Sequence, residues 1–202
     1  MKKIISSEVL PALLLICFLF TACSSNESIV LSGDNIICFG DSLTYGTGAP
    51  ENKSYPAQLS EIIGQPVINA GIPGNTTADG LRRLEADVLS QSPRIVLITL
   101  GGNDMKNQVD KKAAFKNLRQ IVEAIQAEGA LVVVGGVKLL FWDRGYGEEY
   151  ERLADETGVL LIPNVLEGLA GHHDLMSDTI HPNAAGYEIM AERFYEVIKP
   201  YL

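Results

Sequence analysis

The 202-residue chain has only three cysteines, one tryptophan and little positive charge. No Lys/Arg run exceeds two residues, and the formal net charge is −9. Nucleic-acid binders carry a basic stripe or patch, so a nucleic-acid partner is not expected. The longest apolar run, Val9 to Phe20, spans about a dozen residues, short of the roughly 20 that a membrane-crossing helix needs. No Gly-x-Gly-x-x-Gly with a downstream acid occurs, nor a Gly-Lys-Ser/Thr ending, which argues against a nucleotide-binding loop. His, Cys and carboxylate residues nowhere show metal-ligand spacing, so no metal or other cofactor is expected. At 47% hydrophobic and 20% charged residues, the chain is globular in composition, and disordered and collagen-like classes drop out.

What is present begins with an export signal. Lys2 and Lys3 precede the apolar run, and Thr21, Ala22 and Cys23 follow it directly. That is the layout of a secretory leader. Phe20-Thr21-Ala22-Cys23 also resembles the bacterial lipobox, in which the cysteine is acylated and becomes the mature N-terminus. Phe20 is a departure, because Leu is preferred there; simple cleavage after Ala22, leaving Cys23 as a plain thiol, is the alternative. The expected organisation is a lipoprotein signal peptide over 1–22, a polar tether over 23–34 and one folded domain over 35–202. A chain starting at Cys23 keeps 14 basic and 24 acidic residues, a net charge of −10. Such acidity does not attract anionic lipid, so membrane attachment would depend on the acyl chains. Cys17 leaves with the signal, and Cys38, in an apolar strand pattern, reads as a small buried hydrophobe with no disulfide partner.

From Asn35 onward short β-rich runs alternate with helical spacing. Strands are expected over Asn35–Phe39, Pro66–Ala70, Ile95–Leu100, Leu131–Val134 and Val159–Ile162. Helices are expected over Tyr55–Ile63, Thr76 or Thr77 to Leu89, Ala113–Glu128, Glu148–Asp155 and Ala184–Tyr201. This alternation implies an α/β fold: a flavodoxin-like three-layer α/β/α sandwich on a five-stranded parallel sheet. Ligands in such folds sit beyond the carboxyl ends of the strands, where strand order reverses. The loops there are Gly40–Gly48, Gly71–Asn75 and Gly101–Asp104, which hold most of the unusual polar chemistry.

Gly40-Asp41-Ser42-Leu43-Thr44 places a serine at a sharp strand-to-helix turn, where the hydroxyl can stand clear of the sheet and the helix N-terminus adds favourable partial charge. An ordinary helix cap would use the same residues. Asp178-Thr179-Ile180-His181 puts an acid three residues before a histidine, so one loop could supply a base and the group that orients it. A solvated loop histidine is the plain alternative. His172 and His173 read as surface residues, and Asp174 is the fallback acid. In Gly101-Gly102-Asn103-Asp104 a side-chain amide could donate to a developing oxyanion, although the composition also suits a turn. Gly74 could offer an unobstructed backbone N–H. Asp41 and Asp104 are expected to hold loop geometry. Leu139, Leu140, Phe141, Trp142 and Tyr146 form an apolar cluster after the fourth strand, either core or a substrate-binding wall.

Together these blocks, in this order and each at a strand end, resemble the SGNH (GDSL) hydrolases over about Asn35 to Leu202. The resemblance is closest to the bacterial thioesterase, lysophospholipase and arylesterase branch, through VINAGIPGNTTADGLRRL and LITLGGND. It implies Ser42 as nucleophile, His181 as base, Asp178 as its acid, and an oxyanion hole of Ser42, Gly74 and Asn103. Tyr55 stands where that branch often has Trp, Asn75 replaces an Asp, and the segment around Gly145-Tyr146-Gly147 is shortened; all three departures are expected near the substrate.

The implied function is a serine esterase acting on a small acyl ester, thioester or lipid, with Trp142 and Tyr146 at the substrate and Cys23 lipidated. A carbohydrate O-acetylesterase is the alternative within the family. A non-catalytic surface lipoprotein is the alternative outside it. Export and anchoring on a bacterial membrane follow from the lipobox resemblance, and Ser24 after the cysteine favours an outer membrane by lipoprotein analogy. Chain-length preference and oligomeric state leave no sequence signal.

Overall fold

The computed structural model describes residues 31–138 and 145–202. The signal segment, Cys23, and Leu139 to Trp142 lie outside the described residues.

Five parallel strands form the middle layer: β1 (Asn35–Gly40), β2 (Val67–Gly71), β3 (Pro93–Thr99), β4 (Leu131–Gly135) and β5 (Leu160–Ile162). Their order in the sheet is β2-β1-β3-β4-β5. The chain steps from β1 to one side and then back across it to the other, so the switch point lies at the end of β1. Period-two alternation divides each inner strand between two cores. Ile37, Phe39, Val96, Ile98, Val132 and Val134 face one; Ile36, Cys38, Ile95, Leu97 and Val133 face the other. Strands apolar on both faces need helices on both sides.

Helices α3 (Thr77–Asp87), α5 (Lys111–Ala127) and α6 (Tyr146–Thr157) cover the first face, and α2 (Tyr55–Ile63) and α7 (Ala184–Ile198) the second. Along α5 the buried residues Ala114, Phe115, Leu118, Ile121, Val122 and Ile125 recur at helical spacing, and Asp110 caps its first turn through the Ala113 N–H at 2.9 Å. Each large apolar side chain buried there contributes roughly 1.5–3 kcal/mol. A capping box opens α3: Asp79 accepts from the Thr76 N–H at 2.8 Å while Thr76 accepts from the Asp79 N–H. Tyr55 of α2 stacks on Phe194 of α7 at 5.0 Å. Pro200 follows α7 closely, and the chain ends in a 3-10 turn over Lys199–Tyr201 where continuous helix was expected.

Two further differences concern the sheet's carboxyl edge. Gly101–Asp104, expected as a loop, leads into the short helix α4 (Gly102–Lys106), because the residues that favour turns also favour a helix's first turn. The helix after Ser42, α1 (Ser42–Tyr45), is a single turn, which gives it little macrodipole. At the opposite edge Leu31 packs against the second core, the Ser32 N–H donates to the Gly129 carbonyl at 3.1 Å, and Arg94 holds the Tyr201 carbonyl at 3.0 Å.

Gly40, the last residue of β1, is enclosed. A Cβ there would lie 2.2 Å from Thr44 Oγ1 and 2.6 Å from the Thr99 carbonyl oxygen. Thr44 bonds to Thr99 through their hydroxyls, and to the Tyr55 hydroxyl at 3.1 Å, so this floor has no slack. Gly40→Ala is expected to destabilise the fold by about 1–3 kcal/mol through overpacking, read as a lower urea midpoint at unchanged m-value.

Candidate active site

Ser42 lies just beyond β1, where Asp41 caps the α1 turn by accepting from the Leu43 N–H at 3.0 Å. Tyr187 of α7 fixes the far side of the turn by donating to the Thr47 carbonyl at 2.8 Å. His181 arrives from the other end of the chain. The loop carrying it is pinched by a bridge between Met176 and Pro182 and by the Ser177 N–H donating to the His181 carbonyl at 2.9 Å. Asn183 closes the loop onto α7, capping Ala185 N–H at 2.9 Å and donating from its side chain to the Asp174 carbonyl at 2.8 Å.

These two loops bring His181 Nε2 to 3.0 Å from Ser42 Oγ. On the ring's other side, Nδ1 lies 2.7 Å from Asp178 Oδ2. The remaining oxygen, Asp178 Oδ1, accepts the Ile180 and His181 N–H groups at 2.8 and 2.7 Å. Burial pushes the Asp178 acid upward, but the His181 ring and the two N–H donors outweigh it and hold the carboxyl below its ordinary value. The ionised carboxylate is therefore the favoured form of Asp178. With the Nδ1 proton held by that carboxylate, Nε2 is left as the acceptor for a proton from Ser42. His172, His173 and Asp174 are exposed, and Asp174 contributes its backbone carbonyl to Asn183 rather than its acid to His181.

A cavity of about 250 Å³ opens over this group, lined by Asp41, Ser42, Asn103 and His181, with Val137 and Leu166 as apolar walls and Lys106. Asn103 donates from Nδ2 to Asp41 Oδ2 at 3.1 Å and to the Asn75 carbonyl at 3.0 Å. Gly74 does not line the cavity; it is exposed at φ +82°, and its loop reaches the site through Asn75. Asp104 is fully buried and accepts from the Thr77 N–H and hydroxyl at 2.8 and 2.7 Å, which ties α4 to the start of α3. A larger concavity of about 530 Å³ beside α2 and β2 holds Glu51, Ser54 and Asn69 but no serine–histidine pair.

Two expected substrate positions lie elsewhere. Tyr146 is buried in the first core, edge-on to Phe115 at 5.3 Å, because α6 starts there instead of at Glu148. Tyr55 is fully buried beneath the Ser42 turn, not beside the substrate. Trp142 lies outside the described residues.

Arg83 carries a role that no sequence signal marked. It donates to the Gly40 carbonyl at 2.8 Å, the Ala70 carbonyl at 2.9 Å and Asn75 Oδ1 at 2.7 Å, and lies 4.2 Å over the Phe39 ring. Only its helical spacing to Asp87, its partner at 2.8 Å, was visible beforehand.

A sequence model of the GDSL-like lipase/acylhydrolase family matches residues 38–189, which include Ser42, Asn103, Asp178 and His181. The chain belongs to this family. It is a hydrolase of ester bonds, of the SGNH serine type. The hydrolase is 31% identical over 199 residues to the thioesterase 1/protease 1/lysophospholipase L1 of Escherichia coli, covering 95% of this chain and 92% of that protein. It is 29% identical over 182 residues to the esterase TesA of Pseudomonas aeruginosa, covering 85% and 90%. The crystal structure of TesA superposes with a TM-score of 0.79 at 29% identity, over 84% of this hydrolase and all of that chain.

Inside the hydrolase Asp41 differs sharply from Asp178. Burial raises its acid from the ordinary 3.8 to about 7, partly offset by the Leu43 N–H and the facing His181, while nearby Asp104 adds to the rise. A raised acid stabilises the fold below its unfolded value and loses that contribution as pH rises through about 7. Asp41→Asn is therefore expected to gain stability relative to the parent as pH goes from 4 to 8. Thermal unfolding of both proteins at constant ionic strength checks this; a pH-independent difference would contradict it.

Proposed function

We propose that this hydrolase cleaves small acyl esters or thioesters through an acyl-enzyme on Ser42, and that it works outside the cytoplasm on a lipid anchor. The observation that carries the chemistry is the 2.7 and 3.0 Å relay from Asp178 through His181 to Ser42 Oγ. His181 takes the Ser42 proton as Oγ attacks the carbonyl carbon, and Asp178 stabilises the imidazolium. Negative charge develops on the former carbonyl oxygen, to be met by the Ser42 N–H and the Asn103 amide, the two members of the expected hole that line the cavity. The imidazolium then protonates the departing alkoxide or thiolate. Water, deprotonated by His181, attacks the acyl-enzyme and releases the acid with Ser42 restored.

The lysophospholipase in the name of the Escherichia coli relative supports a lipid acyl ester as substrate. Val137 and Leu166 add apolar lining beside Ser42. Hydrolysis of p-nitrophenyl esters from acetate to palmitate by the full chain and by Ser42→Ala tests the reading. Activity on medium or long chains, abolished in Ser42→Ala, is the expected outcome. Acetate-only activity would replace it with deacetylation, and no Ser42-dependent activity would leave a binding protein.

Support for the anchor comes from the Lys2-Lys3 and Val9–Phe20 leader followed by Cys23. Expression in a bacterial host with an alkyne fatty acid should label the full chain, and Cys23→Ala should abolish labelling. Equal labelling of both would reject the anchor.

A further inference from the structure

Asp41 is one of two buried acids among the described residues, 3% exposed, and the acyl-transfer steps give it nothing to do. Its two oxygens have different partners. Oδ1 caps the turn that carries Ser42, through the Leu43 N–H at 3.0 Å. Oδ2 accepts one hydrogen of the Asn103 amide, 3.1 Å from Nδ2. The other contact of that nitrogen is with the Asn75 carbonyl at 3.0 Å. A primary amide has only two hydrogens, so in the resting protein both are committed. Asn103 can reach an oxyanion only by giving up one acceptor.

The two acceptors are not equivalent. Above pH about 7, where Asp41 is ionised, its carboxylate binds an N–H roughly twice as strongly as a neutral carbonyl does. Asp41 is also fixed to the serine's own turn, whereas Asn75 follows Gly74, which is exposed and has φ +82°. The Asn75 carbonyl is the bond to release.

We propose that Asp41 is a positioning residue for the oxyanion hole: it keeps one hydrogen of the Asn103 amide throughout the reaction. The second hydrogen, parked on the Asn75 carbonyl at rest, is thereby delivered to the oxyanion. Without an acceptor at Asp41 the amide can turn its oxygen toward the cavity, where it would repel the developing charge. The charged and titratable groups facing Asp41 are His181 from the loop before α7, Asp104 from α4, Tyr150 from α6 and Tyr187 from α7. Of these His181 offers a competing route, since the Asp41 carboxylate could act on the imidazolium directly.

This inference rests on the proposed Ser42 chemistry, and a double-mutant cycle separates the two. Turnover of a p-nitrophenyl ester is measured for the parent, Asp41→Asn, Asn103→Ala, the double variant and Ser42→Ala. Asn103→Ala should lower kcat roughly a hundredfold or more. Asp41→Asn should lower kcat by about tenfold or more with KM within about twofold, and the double variant should be no slower than Asn103→Ala alone. Multiplied losses in the double variant would mean that Asp41 acts elsewhere, on His181 or on the fold, and would overturn the proposal. So would unchanged turnover in Asp41→Asn or in Asn103→Ala. Residual activity in Ser42→Ala would instead defeat the acyl-enzyme reading.

Should Asp41→Asn not fold, the parent protein still answers. A p-nitrophenyl alkylphosphonate forms an Oγ–P bond at Ser42 and expels p-nitrophenolate, leaving a P=O oxygen where the oxyanion would be. Nitrogen-15 correlation spectra, with the Asn103 amide assigned by its loss in Asn103→Ala, should then show one of its two hydrogens shifting and the other staying. Both moving, or neither, would reject the proposal.

Discussion

One guanidinium holds the ends of two strands and a loop at fixed separation. Arg83 reaches from α3 to the last carbonyl of β1, to the Ala70 carbonyl of β2 and to the Asn75 side chain, with Asp87 balancing its charge. Carbonyls at strand ends lose their ladder partners and, when buried, need donors from elsewhere. A flat fork of five donors meets these four acceptors at once, whereas an ammonium has only three donors. Because Gly40 precedes Asp41 and Ser42, the height of the serine above the sheet depends on this clamp.

The site is cross-braced by a second set of bonds that runs between loops rather than within them. Asp41 joins the β1 loop to Asn103, Asn103 joins the β2 loop at Asn75, and Asp104 joins α4 to Thr77. Each brace is short-range in space and distant in sequence. Two acids with the same intrinsic chemistry are driven apart by their settings: Asp178 by three hydrogen-bond donors, Asp41 by burial. The first is suited to holding a charge, the second to holding a geometry.

Much of this was legible in the sequence. The inner strands β1, β3 and β4 announce themselves as unbroken apolar runs, because burial on both faces leaves no room for polar alternation. The Asp178–His181 spacing shows because one tight loop makes that contact. The 139-residue separation between Ser42 and His181 could be joined only through resemblance. Local composition misled at Gly101–Asp104, where turn formers start α4, and at Tyr146, whose aromatic ring belongs to a helix beginning two residues earlier than its charged face suggests. Arg83 stayed hidden for a physical reason. The two partners that fix the strand ends are main-chain carbonyls, and a carbonyl leaves no trace in residue type.

Leu31 and Ser32 rest against the floor of the sheet beside Gly129, and Tyr201 is held there by Arg94. Ser42 stands at the other rim, beyond six residues of β1, a rise of about 17 Å. Both ends of the described chain therefore leave from the face opposite the cavity. A resin or a fusion partner attached directly at Leu31 or Leu202 would grip the molecule from below and leave its mouth open to whatever diffuses past.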